Sequence, residues 1–298
     1  MVEIGTGVVE IENTAFSGCS NLLLIKVKGD NPAYKSESGQ LLTKDGSGLV
    51  IGVNGDVVIP SGVRYIEQRA FSGRANLTSI LIPSTVTGIG YRAFEECSGL
   101  KKVFIPKNAH VSEEAFEDCQ GIEEFEVDVD NPYLKSENRL LLTKDGTILV
   151  SGVNGEVVIP KGVTNIMHGA FSCREALLSV SMPDELKSIG YSAFSDCCAL
   201  ASVEMPDGVT SIGDWAFGRC SGLTNALLGV GVTSIGYCVF YDCISLVSVT
   251  IPDSVTNIES SAFCGCSGLT SVTIPDSVTS IGYEAFFNCS GLTSITIP

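Results

Sequence analysis

Apolar residues recur along this chain on a fixed beat. The clearest copy is LTSVTIPDSVTSIGYEAFFNCSG, residues 269–291. There Leu269, Val272 and Ile274 precede Pro275, then come Val278, Ile281 and Gly282, then Ala285, Phe286 and Cys289. The anchoring phenylalanines are Phe16, Phe71, Phe94, Phe116, Phe171, Phe194, Phe217, Phe240, Phe263 and Phe286, with successive gaps of 55, 23, 22, 55 and then 23 five times. A repeat period of about 20–50 residues signals a solenoid, in which each coil buries its apolar edge against its neighbours.

Each Leu-x-x-Val-x-Ile-Pro predicts a short strand, with Leu269, Val272 and Ile274 inward and Ser271 and Thr273 outward. The proline ends the strand because it cannot donate to a ladder. Val-x-x-Ile-Gly should carry the chain around an edge, and glycine at 90, 190, 213, 236 and 282 suggests a tight bend or a positive φ. Ala-Phe-x-x-Cys is too short for a full helix and is expected to form a single helical turn.

The two long gaps each hide an extra coil. Pro60 and Pro160 lie 11 residues before Phe71 and Phe171, as Pro275 does before Phe286, so each gap divides into a coil of 23 and one of 32. About twelve strands in one parallel sheet result. The larger coils carry a second duplication: residues 29–55 match 129–155 at an offset of 100. In each copy two apolar runs flank Lys-Asp-Gly, which reads as a β-hairpin turning at Gly46 or Gly146. The insertions span about 28–53 and 128–153.

Composition narrows the function classes. A net charge of −16 argues against nucleic acid and against an anionic membrane surface. No apolar run is long enough to span a bilayer, and MVEIGTGVVEIEN lacks the basic start and apolar centre of a secretory signal. Val8, Ile11 and Phe16 match Val278, Ile281 and Phe286, so the chain starts within a repeat, and it stops at Pro298 just after a strand. The reading is one solenoid domain over 1–298, trimmed at both ends.

Eight of the twelve cysteines (19, 97, 119, 197, 220, 243, 266 and 289) sit three residues after a repeat phenylalanine. Small buried free thiols suit that niche best. A disulfide framework or a metal site is the alternative, though Cys264-Gly-Cys266 and Cys197-Cys198 lack CxxC spacing, and only His110 and His168 could complete a zinc site.

The units of the type IPDSVTSIGYEAFFNCSGLTSVTIP, together with the DNPxYKSE and LLTKDG inserts, resemble the BspA-like leucine-rich repeat family over essentially the whole chain. The resemblance implies a right-handed curved solenoid with its parallel sheet on the concave face. It also implies a cell-surface or secreted protein that binds host matrix or other partner proteins without catalysis. Arg74 and Arg174 in place of the cysteine, and Gly229 in place of proline, depart from the pattern.

Chemistry-bearing motifs are nearly absent. There is no GxSxG, HExxH, GxxxxGK[ST] or GxGxxG, so no catalysis and no cofactor are expected. His110 and His168 are read as structural or solvated. Glu123, Glu124, Glu126, Asp128 and Asp130 form either a solvated acidic face or a calcium site around Asp128 and Asp130; the duplicate stretch 23–30 reads Leu, Leu, Lys, Lys and Asp at the same positions, so the cluster is not inherent to the insert. The informative surface is the second outward strand position, where Val58, Leu81 and Phe104 follow one another, with Lys102, Glu124 and Glu126 alongside. An apolar patch with a charged rim is the layout of a protein-binding surface, although sheets also tolerate scattered apolar residues. By contrast Thr250, Thr273 and Thr296 look like solubilising consensus. Two functions are weighed: a monomeric protein-interaction module, and a structural spacer that presents other domains.

Overall fold

A computed structural model of the chain describes residues 1–297. It contains two compact units, Met1–Lys144 and the part from Asp145 onward. Each is a parallel β-solenoid.

In the N-terminal unit the repeat strands are Val2–Ile4, Ile25–Val27, Gly55–Val58, Leu77–Leu81, Lys102–Ile105 and Glu124–Val127. In the C-terminal unit they are Gly155–Val158, Leu177–Ser181, Ser202–Glu204, Asn225–Leu227, Ser248–Thr250, Ser271–Thr273 and Ser294–Thr296. Val2–Ile4 was not expected: it lies before the first recognisable Leu-x-x-Val and is defined by its parallel pairing with Ile25–Val27. The ladder is not continuous either. It runs in parallel blocks of two or three strands, for example Lys102–Ile105 with Glu124–Val127, and Ser202–Glu204 with Asn225–Leu227 and Ser248–Thr250.

The Val-x-x-Ile-Gly edge forms a second parallel ladder of two-residue strands. Tyr65–Ile66, Gly88–Ile89 and His110–Val111 pair in register in the N-terminal unit, and Asn165–Ile166, Ser188–Ile189 and Ser211–Ile212 in the C-terminal one. The glycine after the isoleucine keeps an ordinary φ, so of the two expected roles, a tight bend or a positive φ, the second is not used. Close approach demands it: a Cβ on Gly90 would lie 2.7 Å from the backbone nitrogen of Gln68 in the preceding coil.

The expected helical turn does not form; among the described residues there is no helix. Between Gly90 and Leu100 the backbone donors alternate. Ala93, Glu95 and Cys97 bond locally to Gly90, Arg92 and Phe94 at 3.1, 3.1 and 3.2 Å. Phe94 and Glu96 instead reach the next coil, at Ala115 (2.8 Å) and Glu117 (3.0 Å). That alternation needs left-handed residues, Arg92 at φ 52° and Glu96 at φ 58°, which break any run of helical dihedrals. Such conformations cost non-glycine residues on the order of 1–3 kcal/mol each, and the inter-coil hydrogen bonds offset that strain.

Inside, phenylalanines stack face to face along each unit. Phe71, Phe94 and Phe116 stand 5.0 and 5.2 Å apart between centroids, and Phe171, Phe194 and Phe217 stand 4.8 and 5.1 Å apart. All twelve cysteines are unbridged. Of the eight repeat cysteines seven are buried, each giving its S–H to the phenylalanine carbonyl of the coil before, as Cys97 does to Phe71 (3.2 Å) and Cys243 to Phe217 (3.1 Å). Burial pushes these thiols up, Cys289 to about 11. Cys19, in the first coil, is exposed.

Where the preceding coil is an insertion coil, arginine stands in the place of the thiol. Buried Arg74 donates to Gly52 (3.0 Å), Phe16 (2.8 Å) and Ser72 (3.0 Å), and Arg174 donates to Gly152 and Ser172, both 3.1 Å. Desolvation lowers the Arg74 pKa. The glycines at 52 and 152 make room for the ring stack, since a Cβ would fall 2.0 Å from Phe71 or Phe171.

The first insertion is richer than a single hairpin. Gln40–Thr43 and Gly48–Ile51 pair antiparallel through the expected turn at Gly46, φ 83°. A further strand, Tyr34–Glu37, pairs with Gln40–Thr43 through Ser38 and Gly39, both at positive φ. The meander then continues as the second ladder, Gly48–Leu49 pairing with Tyr65–Ile66. In the second insertion Leu134–Glu137 pairs with Leu140–Thr143 in the same way. The Asn of each DNP anchors its insert: buried Asn131 donates to Pro106 and Ala109 (both 2.8 Å) and accepts from Tyr133 and Leu134 (both 2.9 Å).

Candidate partner-binding face

The predicted patch is assembled entirely within the N-terminal unit. Gly55–Val58 and Leu77–Leu81 run parallel with Val58 opposite Leu81, and Phe104 follows one repeat later, opposite Glu126. Alternation turns Val57 and Val103 into the core and leaves Val58, Leu81 and Phe104 outside, 57%, 61% and 39% exposed. A β-bulge helps shape this face: Thr78 is the extra residue between the Gly55–Leu77 and Asp56–Ser79 pairs. Both hydroxyls of that bulge bond Asp56, Ser79 at 2.7 Å and Thr78 at 2.9 Å. Together, Ser79 first, they hold the Asp56 carboxyl below its usual range.

The charges of the rim pair with one another. Lys102 is engaged by Glu126 at 2.6 Å and Glu124 at 3.3 Å, and its pKa is raised, chiefly by the Glu126 hydrogen bond. The neighbouring acidic residues are paired in the same cross-coil fashion, Glu123 with Lys101 at 3.1 Å and Asp130 with Lys107 at 3.0 Å. Asp128 accepts from the backbone N–H of Asp130 at 3.0 Å. Among the described residues no three His, Cys, Asp or Glu side chains converge on a possible metal position. The rim is therefore an ion-pair ladder whose charges answer one another, and the apolar residues are the part left unpartnered.

The chain as a sequence matches the profile of the BspA type leucine rich repeat region in six copies, over residues 54–137, 154–269 and 233–298. The chain belongs to this family. Among solved structures it is similar to a leucine-rich cell surface protein from Faecalibacterium prausnitzii, at 28% identity and TM-score 0.67 over 99% of this chain and 78% of that one. A leucine-rich repeat protein from Eubacterium ventriosum gives 22% identity and TM-score 0.70 over 100% and 82% of the two chains. The pneumococcal vaccine antigen PcpA gives 18% and 0.52 over 99% and 78%, a likeness of fold. A search of curated proteins found no match.

The strand columns did not reveal one concavity of this BspA-type chain. In the C-terminal unit a groove of about 640 Å³ opens where the ladder breaks between Leu177–Ser181 and Ser202–Glu204, bordered by Ser181, Glu204, Leu227 and Gly229. Its sequence signal was the departure at Gly229. A Cβ there would fall 2.3 Å from the carbonyl oxygen of Pro206, so only glycine lets the two coil turns close up.

Proposed function

We propose that this chain is a non-catalytic protein-interaction module that holds a partner protein on the strand face of its N-terminal unit. The observation carrying this reading is the run of Val58, Leu81 and Phe104, exposed on rigid, parallel-paired backbone. An aromatic fixed on a strand loses little side-chain freedom on binding, which favours an anchoring role. The Lys102 ion pairs set orientation more than affinity. The similar Faecalibacterium prausnitzii protein is described as a cell surface protein, which supports placing this chain at a cell surface; the reading extends to a secreted form and takes a host matrix or surface protein as the partner.

The competing reading, a spacer without a ligand of its own, is favoured by the later strands, where Thr250, Thr273 and Thr296 are all exposed. Biolayer interferometry against a panel of immobilised matrix proteins separates the two. Phe104→Ser should melt at the parental temperature yet weaken a bound partner by about 2 kcal/mol or more, a threshold typical of anchoring residues. Equal binding by parent and variant would move the site elsewhere, and no binding by either would leave the spacer.

A further inference from the structure

A second exposed face of the N-terminal unit carries rings where the C-terminal unit carries small polar side chains. Along the second ladder Tyr65, Gly88 and His110 occupy one register position on three successive coils. With strands about 4.8 Å apart, the two rings face one another across a glycine. They lean over it: a Cβ on Gly88 would lie 3.2 Å from Tyr65 Cδ1 and 3.4 Å from His110 Cε1. One coil further, the ring of Tyr133 meets His110 edge-on at 6.3 Å and 80°. Together with Thr87, Asn108 and Pro132, the rings of Tyr65, His110 and Tyr133 line an open groove of about 380 Å³, within the range of about 300–1,000 Å³ for small-ligand sites, and Gly88 lies buried beneath two of those rings.

We infer that this groove is a binding site for a neutral sugar residue, taken against the rings of Tyr65, His110 and Tyr133. Three features of the lining point to that chemistry. The lining holds no Lys, Arg, Asp or Glu to pair with an ionic ligand, in a chain whose net charge is −16. The rings offer apolar faces suited to the C–H faces of a pyranose. Polar capacity surrounds them: the hydroxyls of Tyr65 and Tyr133 and the His110 imidazole make no hydrogen bond to protein among the described residues. Thr87 donates to the Arg64 carbonyl at 3.2 Å and keeps its oxygen lone pairs, while Asn108 spends one amide N–H on the Ser84 carbonyl at 3.4 Å. An apolar surface ringed by a few spare donors and acceptors is how small-ligand sites are built. The C-terminal unit supplies the internal contrast. There the ladder reads Asn165, Ser188 and Ser211, and Asn165 is tied to the Ser188 hydroxyl at 2.6 Å.

Ligand-observed saturation-transfer NMR on the full chain tests the site, using cellobiose, maltose, lactose and diacetylchitobiose as probes and hexaproline as the competing ligand class. At least one disaccharide should receive saturation, strongest at its ring C–H protons. Tyr65→Ser with His110→Ser should weaken that binding tenfold or more. Gly88→Val, whose side chain would push the Tyr65 and His110 rings apart without removing either, should do the same. Both ring positions are exposed, so the double variant should keep the parental melting temperature even if the glycine variant does not fold. Phe104→Ser should leave sugar binding unchanged, which separates this site from the strand-face patch. Absence of transfer to all four sugars would overturn the assignment. So would binding that survives the double variant, or hexaproline binding alone.

Discussion

The two units are built on one plan and can be compared position by position at an offset of 100 residues. Inside, the pairs are the same: Phe71 and Phe171, Arg74 and Arg174, Gly52 and Gly152, Asn54 and Asn154. Outside they part. Leu81 becomes Ser181, Phe104 becomes Glu204, Tyr65 becomes Asn165, Gly88 becomes Ser188, and Arg92 becomes Ser192. Of the three apolar patch residues only Val58 keeps its type, as Val158, at 57% and 61% exposure. The retained residues are those that stack, fill or satisfy a carbonyl, so a coil tolerates little change there. The outward positions contribute little to coil closure, and each face can take its own composition. Function is therefore to be sought where the two copies differ.

The largest expected effect probes what the units share. Phe94 and Phe194 are both fully buried in a ring stack, so Phe94→Ala and Phe194→Ala should each cost about 3–5 kcal/mol. Hydrogen exchange should show the loss first in the altered coil and its neighbours, because solenoid coils contact only adjacent coils. Uniform loss of protection in every strand of the altered unit would break the nearest-neighbour picture. Next in size come Arg74→Cys and Arg174→Cys, which restore the repeat consensus. Each should destabilise its unit by about 3 kcal/mol, since buried carbonyls lose their donor. A stabilised consensus variant would show that arginine is not needed to span the insertion coil.

Much of this was legible beforehand. Twelve of the repeat strands, the inward and outward alternation, the burial of seven of the eight repeat thiols and the Lys-Asp-Gly turn followed from spacing. The turn segment did not, because the alternating local and inter-coil donors around Arg92 and Glu96 depend on stacking that a single repeat cannot display. Tyr34–Glu37 was missed since YKSE has no apolar alternation; its partner strand and the Ser38-Gly39 turn define it. The exposure of Val58, Leu81 and Phe104 could be read from the column. The pairing of Lys102 with both Glu124 and Glu126 could not, for it depends on side-chain reach across coils. The aromatic slot escaped for a plainer reason: the second ladder, two residues wide, carries too little periodicity to mark an outward face.

The smallest effect concerns the turn face, where the units differ in charge. In the N-terminal unit Arg69 bridges Glu95, and Arg92 bridges Glu95, Glu114 and Glu117 at 3.0, 2.7 and 2.7 Å; Ser72 and Tyr91 add hydrogen bonds to Glu95 and Glu114. The corresponding residues of the C-terminal unit include Ser192, Trp215 and Cys238. Burial, and then the charge of Glu114, raise Glu117 to about 7 despite the attraction of Arg92, with Asp118 and Glu95 adding to the rise. A carboxyl whose folded pKa is raised binds its proton more tightly when folded. Its stabilising contribution is full below the ordinary value near 4.5 and is lost as pH climbs to about 7. Glu117 is only partly buried, so screening reduces the effect to on the order of 1 kcal/mol. Hydrogen exchange at pH 5 and pH 8, corrected for intrinsic rates, should thus show the turns around Arg92 and Glu117 opening more readily at pH 8. The Ser192 turn of the C-terminal unit should not change. Glu117→Gln should remove the difference, because it holds the side chain uncharged at both pH values. If the variant kept the full pH dependence, Glu117 would not be the titrating group.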